Sequence, residues 1–247
     1  MGAVLSLAGM SKHFGAIQAL QGVDLDLGRG EVLGLMGDNG AGKSTLVKII
    51  AGSFAPSAGE MRIEGEAVSF ARPLDAREKG IEIVYQDLAL CDNLTAALNV
   101  FLGRELTRGV GPLRFLDRAA MNARAGELFA ELKSETRPRD LVKSMSGGQR
   151  QAVAIARTRL ADPKLVLMDE PTAAISVRQV AEVLDLIRRL KAAGHAVILI
   201  SHRMPDVFET CDRVAVLRRG RKVADKPIAA TSPEEVTGLI TGAIEAA

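Results

Sequence analysis

The feature that most constrains the fold of this chain is a glycine-rich segment between a predicted strand and a predicted helix. Residues 37–45 read Gly-Asp-Asn-Gly-Ala-Gly-Lys-Ser-Thr and fit the phosphate-binding pattern G-x-x-x-x-G-K-[ST]. The apolar run Val32–Met36 before it predicts a buried strand. An apolar face formed by Leu46, Ile49 and Ile50 after it predicts a helix. The segment therefore predicts that the chain binds phosphate groups of a nucleotide.

The residue types in this loop predict the role of each position in binding phosphate. Glycines let backbone N–H groups surround phosphate oxygens, and the following helix adds its positive N-terminal end. Lys43 would reach the β- and γ-phosphates, and the hydroxyl of Ser44 would ligate Mg²⁺. The residues of this segment that we expect to hold the nucleotide are Gly37, Asn39, Gly40, Gly42, Lys43, Ser44 and Thr45.

Two further apolar runs predict a parallel sheet and deliver carboxylates to its edge. Leu165–Met168 and Ala196–Ile200 read as buried strands, and a helical stripe between them makes a βαβ crossover. Asp169, directly after the first run, suits a carboxylate associated with Mg²⁺. Glu170 points the other way and could polarise an attacking water.

Three weaker sequence patterns become candidates for nucleotide contacts because the phosphate loop and the carboxylate pair occur in the same chain. Ser146-Gly147-Gly148-Gln149 opens a helix, with Ser146 as N-cap and two glycines that leave the helix end open to an anion. His202 and Gln86 are polar residues after predicted strands, where a parallel sheet presents ligand contacts. Each of the three has an ordinary structural interpretation when taken alone.

Composition excludes several classes of protein. The 247 residues have a net charge of +2, which gives no basic field for nucleic acid or an anionic membrane. Aromatic residues make up only 3%, with no Trp, so a platform that stacks many bases is excluded. Cys91 and Cys211 have neither zinc-ligand nor disulfide-framework spacing, and we expect reduced thiols. No apolar run is long enough to span a bilayer, and the N-terminus does not read as a signal peptide.

The middle of the chain differs from its two ends. Helical patterns dominate from 89 to 161, broken at 109–112 and 136–139. We therefore predict one domain, whose α/β core comprises residues 1–88 and 162–247, with a helical subdomain inserted at 89–161. Ser232-Pro233-Glu234-Glu235 predicts a final capped helix.

Taken in order, these motifs resemble those of the ATP-binding cassette (ABC) ATPases over nearly the whole chain. The order is the phosphate loop, Gln86, a Met145–Gln149 signature, Asp169-Glu170 and then His202. The resemblance implies an α/β P-loop NTPase core with a mostly parallel sheet, an N-terminal antiparallel β region and an inserted helical subdomain. It also implies ATP and Mg²⁺ as cofactors and ATP hydrolysis as the activity.

The resemblance further implies how the residues would work. Two cassettes close head to tail in that family, and each ATP lies between one phosphate loop and the other subunit's Ser146–Gln149 signature. Glu170 would be the general base, and His202 would stabilise the γ-phosphate. Gln86 would sense Mg²⁺ and the attacking water, and Phe14 matches the aromatic that stacks on adenine. The predicted catalytic residues are Lys43, Gln86, Glu170 and His202, and the predicted metal ligands are Ser44, Gln86 and Asp169.

Two positions depart from the family pattern. Met145 stands where the signature usually begins with leucine, a conservative apolar change. Ser176 ends a loop that commonly ends in Leu-Asp, so it cannot supply that carboxylate across a dimer interface. The change bears on how tightly two sites are coupled and leaves nucleotide binding unaffected.

Two segments look like the carbohydrate-import branch, namely Asp169–Ala174 and Asn99–Glu105. With one motif set, the chain resembles the single-cassette, fructose/ribose-type members. This implies a peripheral subunit on the cytoplasmic face of the cell membrane, working with permease subunits and a periplasmic or lipid-anchored solute-binding protein, and no nucleic acid partner. The alternatives are an importer ATPase for another solute class, a soluble ABC ATPase outside transport, and a nucleotide-gated regulatory module.

Overall fold

The structure is a computed structural model that describes residues 2–85, 88–110, 113–173 and 177–244. It divides into two compact units. The first comprises Met1–Ile83, Pro163–Pro171 and Ile187–Ala247, and the second comprises Val84–Asp162 and Thr172–Leu186. The second unit thus also contains a segment, 172–186, that lies outside the predicted helical subdomain at 89–161.

The strands are β1 (Ala3–Phe14), β2 (Ile17–Gly28), β3 (Val32–Gly37), β4 (Ala58–Ile63), β5 (Glu66–Val68), β6 (Ile81–Val84), β7 (Thr107–Val110), β8 (Leu113–Leu116), β9 (Leu165–Asp169), β10 (Ala196–Ile200), β11 (Arg213–Arg218) and β12 (Arg221–Pro227). The helices are α1 (Lys43–Ile50), α2 (Pro73–Glu78), α3 (Ala96–Val100), α4 (Arg118–Glu131), α5 (Gly147–Arg159), α6 (Val177–Ala192), α7 (Met204–Thr210) and α8 (Pro233–Thr241). Within the described ranges, every helix is too short or too polar to cross a lipid bilayer.

Two sheets organise the first unit. A six-stranded sheet has the order β12-β11-β3-β10-β9-β6, in which β11, β3, β10 and β9 run parallel and β12 pairs antiparallel at the edge. The strands β3, β10 and β9 at its centre are buried except at the last residues of β3 and β9, which explains their uninterrupted apolar runs. The second sheet, β2-β1-β4-β5, is antiparallel. The predicted α/β fold with an N-terminal antiparallel β region is confirmed.

The second unit contains α3, α4 and α5, together with the hairpin β7–β8. The sequence predicts a break in helical structure at 109–112 but does not predict this hairpin, whose register pairs Arg108 with Phe115. Leu113 and Phe115 are 68% and 65% exposed, so the hairpin lacks the buried apolar face that would mark it as strand in the sequence.

The last helix begins where its sequence predicts. The hydroxyl of Ser232 accepts a hydrogen bond from the backbone N–H of Glu235 at 3.2 Å. Pro233 occupies the first turn of α8, where its missing N–H costs nothing.

Candidate functional site

The register of the parallel strands brings the predicted chemical groups of the first unit to one edge of its sheet. Leu35 of β3 is opposite Ile200 of β10, and Ile200 is opposite Asp169 of β9. The phosphate loop, the Asp169-Glu170 pair and His202 therefore leave the sheet at the same level. This is the edge at which open α/β sheets bind ligands.

Close packing explains two of the loop glycines. Gly42 has φ +107°, and a Cβ there would lie 2.7 Å from Leu20 Cδ2 and 2.8 Å from the Ala19 carbonyl oxygen. A Cβ at Gly37 would lie 2.3 Å from the Leu217 carbonyl oxygen. Neighbouring backbone therefore fixes the course of the loop, and a side chain at either position would displace it.

Lys43 crosses the loop from the first turn of α1. Its ammonium group donates hydrogen bonds to the carbonyl oxygens of Gly37 at 2.7 Å and Asp38 at 3.0 Å. Burial lowers the pKa of Lys43, and this outweighs the opposite effect of the nearby Glu170 and Asp169 carboxylates. Gly42 caps α1 without a side-chain hydrogen bond, so the N-terminal N–H groups keep their capacity to bind an anion.

Asp169 and Glu170 are both half-buried at the end of β9. Burial raises the pKa of Asp169, and the neighbouring Glu170 charge raises it further, while Lys43 and Lys48 oppose the shift. Glu170 has φ +49°, an unfavourable backbone conformation for a residue with a side chain, and its N–H donates to the Ile200 carbonyl oxygen at 3.0 Å. The backbone therefore holds Glu170 in a strained turn immediately after β9.

His202 reaches Glu170. Its Nδ1 lies 3.1 Å from Glu170 Oε1, and the two side chains are 63% and 22% exposed. An Nδ1–H group at this distance can donate a hydrogen bond to the carboxylate. The neighbouring Ser201 is buried, and its hydroxyl accepts a hydrogen bond from the Arg203 N–H at 3.0 Å. Ser201 thus fixes the turn that presents His202, a role that no sequence pattern indicated.

Phe14, the predicted adenine contact, is 43% exposed at the end of β1. Phe54 packs edge-on against it, with ring centroids 5.4 Å apart, and the Lys12 ammonium lies 5.1 Å from the Phe14 centroid. Phe54 supports the exposed ring, and sequence analysis missed this role because the two residues are joined only by tertiary packing.

Among the remaining loop residues, Asn39 and Ser44 are exposed. The Asn39 N–H donates to Asp38 Oδ1 at 2.8 Å. The Ser44 hydroxyl has no hydrogen-bond partner in the described parts of the chain, which leaves its oxygen available as a ligand. Thr45 is half-buried beside it in α1.

In the second unit, the predicted capping of α5 is present. The Ser146 hydroxyl accepts from the Gln149 N–H at 3.3 Å, and Gln149 Oε1 accepts from the Ser146 N–H at 3.0 Å. This reciprocal pair is a capping box. Gly147 opens the helix directly after the exposed Ser146.

The expectation that both glycines keep this helix end open needs correction at Gly148. A Cβ there would lie 2.6 Å from Glu182 Oε2, so the position is filled by α6. The small residue at 148 serves packing between α5 and α6.

Two predicted positions, Gln86 and Ser176, lie outside the described residues. Their predicted roles remain predictions.

Comparison with known proteins decides the family. The family model described as ABC transporter matches residues 20–173. The chain belongs to the ABC transporter family. Together with the fold, this makes it an ABC-type ATPase subunit, as the motif order predicted.

Relatives in the same family cover nearly the whole chain. It is 43% identical to the xylose/arabinose import ATP-binding protein XylG of Sulfolobus acidocaldarius, over 98% of this chain and 95% of that protein. It is also 43% identical to the fructose import ATP-binding protein FrcA of Rhizobium meliloti, with the same two coverages. A ribose import ATP-binding protein of Burkholderia pseudomallei is 43% identical, but the chain covers only 46% of its length.

Solved structures agree with the fold. A nucleotide-free ATP-binding cassette from an ABC transporter superposes with a TM-score of 0.83 at 25% identity, covering 97% of this chain and 95% of that one. A dimeric cassette bound to ADP and Pi gives a TM-score of 0.75 at 26% identity, covering 91% of this chain and 98% of that chain.

Proposed function

We propose that this chain hydrolyses ATP to drive import of a monosaccharide through a membrane permease. The observation that carries the proposal is the match, at 43% identity and along 95% of their length, to two proteins named for import of xylose/arabinose and of fructose. Both names refer to monosaccharides, which defines the substrate class. The partners would be permease subunits and a solute-binding protein, and the chain would act at the cytoplasmic face of the membrane.

The phosphate loop would position ATP. Backbone N–H groups at the start of α1 and the Lys43 ammonium would hold the phosphates, with Lys43 exchanging its carbonyl partners for phosphate oxygens. The exposed ring of Phe14, supported by Phe54, would stack on adenine.

The donor atoms near the sheet edge fit Mg²⁺. The Ser44 hydroxyl and the half-buried Asp169 carboxylate are hard oxygen ligands. Since burial and Glu170 raise the pKa of Asp169, a cation beside it would restore the ionised form. Bound there, Mg²⁺ would neutralise charge on the β- and γ-phosphate oxygens.

Glu170 would accept the proton of the attacking water. His202 holds one carboxylate oxygen through Nδ1, which orients the side chain and leaves the other oxygen for the water. In a head-to-tail homodimer, the Ser146–Gln149 signature of the partner subunit would complete the phosphate site.

The proposal is tested by sugar uptake. We expect deletion of the gene for this chain to abolish uptake of one labelled pentose or hexose from a panel, and the wild-type gene to restore it. The Glu170→Gln variant should fail to restore uptake, whereas Glu209→Gln, which changes an exposed carboxylate on α7, should succeed. Unchanged uptake of every monosaccharide after deletion would contradict the proposed substrate class.

A further inference from the structure

A cavity lies beside the phosphate loop in the first unit. Its volume is about 700 Å³, and it is an open cleft bordered by the loop segment 38–41, the turn between β11 and β12, and the end of α8. Neither the proposed adenine contact Phe14 nor the catalytic pair Glu170 and His202 lines it. The cavity therefore shares Asn39 and Gly40 with the phosphate loop but extends away from the groups assigned to catalysis and adenine stacking.

Positive charge dominates this cavity. Among the described residues, Arg218, Arg219 and Arg221 line it, against the single carboxylate of Asp38. Arg218 is half-buried, and neither its guanidinium nor that of Arg219 has a hydrogen-bond or ion-pair partner within the described residues. Within the part of the chain that the structure describes, Arg221 donates only from Nε, to Gln21 Oε1 at 2.9 Å, which leaves its terminal N–H groups for a ligand. Guanidinium groups bind phosphate by paired, charge-assisted hydrogen bonds.

The backbone of the turn that carries these arginines is strained. Arg219 and the next residue, Gly220, have φ +50° and +78°. A turn with two successive left-handed residues favours Asn-Gly, and an arginine at its first position is strained. At the end of α8, a Cβ at Gly242 would lie 2.4 Å from Arg218 Nη1, so the glycine makes room for that guanidinium.

Hydrogen bonds attach this turn to the phosphate loop. The Gly220 N–H donates to the Ala41 carbonyl oxygen at 3.0 Å, and the Gln21 N–H donates to the Gly220 carbonyl oxygen at 2.8 Å. The backbone hydrogen bond between Gly220 and Ala41 consequently holds the arginine-bearing turn against the phosphate loop. An anion bound by them would lie on the side of the turn that faces Asp38 and Asn39.

We propose that this arginine cavity binds a sugar phosphate, that is, a phosphate monoester of a polyhydroxylated small molecule. The arginines match the phosphate group. The Asp38 carboxylate on the cavity wall can accept a hydrogen bond from a sugar hydroxyl. The Thr241 hydroxyl also lines the cavity, but it already donates to the Thr237 carbonyl oxygen at 3.0 Å. The cavity is lined without an aromatic ring, so it has no surface on which a nucleotide base would stack. Binding at this site would be an additional property of the chain, beyond the proposed transport function. It can be tested on the purified chain without a permease.

Binding is measured by titration calorimetry on the full chain, purified and saturated with Mg²⁺ and a non-hydrolysable ATP analogue. The analogue occupies the phosphate loop, so the heat released on adding a further ligand reports binding at the arginine cavity. Ribose 5-phosphate is the probe, and ribose and inorganic phosphate are run beside it at matched ionic strength. We expect saturable binding of ribose 5-phosphate with a Kd of about 1 mM or below, and weaker binding of the other two compounds.

Arginine variants locate the site. Arg218→Ala and Arg221→Ala should each weaken binding of ribose 5-phosphate by about tenfold or more, because each removes charge-assisted hydrogen bonds. Arg114→Ala, which removes an exposed arginine from the hairpin of the second unit, is the matched control and should bind as the wild type does. Arg221 is exposed, so its variant keeps the test valid if loss of the half-buried Arg218 impairs folding.

Three results would overturn the proposal. They are no saturable binding of ribose 5-phosphate at about 10 mM, binding that survives the Arg221→Ala change in a folded protein, and inorganic phosphate binding as tightly as the sugar phosphate. None of them bears on sugar uptake, so a failure here is distinguishable from a failure of the transport proposal.

Discussion

At the scale of single residues, the catalytic proposal depends on Glu170. Replacing Glu170 by Gln preserves the shape of the side chain and an oxygen near His202 Nδ1 but removes the proton acceptor. We expect ATP turnover to fall by about 100-fold or more, while ATP affinity stays within a few-fold of wild type. Steady-state hydrolysis and equilibrium binding of a fluorescent ATP analogue measure the two effects.

The matched control for this change is Glu209→Gln, which removes the partner of Arg188 on a surface away from the strand ends. Its turnover should equal that of the wild type. A Glu170→Gln protein with normal turnover would show that another group accepts the proton.

Asp169 gives a prediction with a definite sign. Burial and Glu170 raise its pKa, so the folded protein favours the protonated carboxyl group more than the unfolded chain does. The stabilising contribution of this group is complete below the ordinary aspartate pKa of about 4 and is lost as pH rises through the raised folded-state pKa. Asp169→Asn, which cannot ionise, should therefore unfold at a higher temperature than wild type at neutral pH without nucleotide.

Thermal unfolding with and without Mg²⁺ and ATP separates stability from function in this variant. The wild type should gain stability from Mg²⁺ and ATP, and Asp169→Asn should gain much less, because it lacks the proposed metal ligand. Equal gains in the two proteins would remove Asp169 from the metal site.

At the scale of elements, the two capped helices α5 and α8 offer a paired test. Ser146 and Ser232 each accept an N-cap hydrogen bond, at 3.3 Å and 3.2 Å. Replacing either by Ala should cost about 1 kcal/mol of the free energy of unfolding, measured by chemical denaturation.

Their effects on hydrolysis should differ. Ser232→Ala should keep wild-type turnover, whereas Ser146→Ala should lose about tenfold or more because the α5 terminus is proposed to face ATP of the partner subunit. If the two variants were equally active, Ser146 would serve only as a helix cap.

Helices and strands also differ in how well local sequence patterns predict them. The strands β9 and β10 begin and end within one residue of their predicted bounds, because a buried parallel strand is a continuous apolar run between polar residues. The hairpin β7–β8 carries no such signal, because the side chains that the structure describes in β8 are exposed and each strand is four residues long. Periodicity reports burial, and an exposed strand carries none of that signal.

At the scale of the whole molecule, the proposed mechanism requires two copies of the chain. With Mg²⁺ and ATP, the Glu170→Gln protein should sediment as a dimer in analytical ultracentrifugation, because ATP bound between two cassettes is not consumed. Without nucleotide, or with the Ser146 change added, it should shift toward monomer. A monomer under all these conditions would argue against closure of the isolated chains around ATP.

Sequence patterns alone identify the phosphate loop, the carboxylate pair at the end of β9, the caps of α5 and α8 and, through motif order, the family. These are local features, in which neighbouring residues interact through one loop, one strand end or one helical turn. Three contacts emerge from the fold alone: Phe54 supports Phe14, α6 side chains lie beside Gly148, and arginines around the β11–β12 turn line a cavity beside the phosphate loop. Each of these contacts joins residues far apart in the chain, and their meeting depends on strand order and register, which local patterns do not specify.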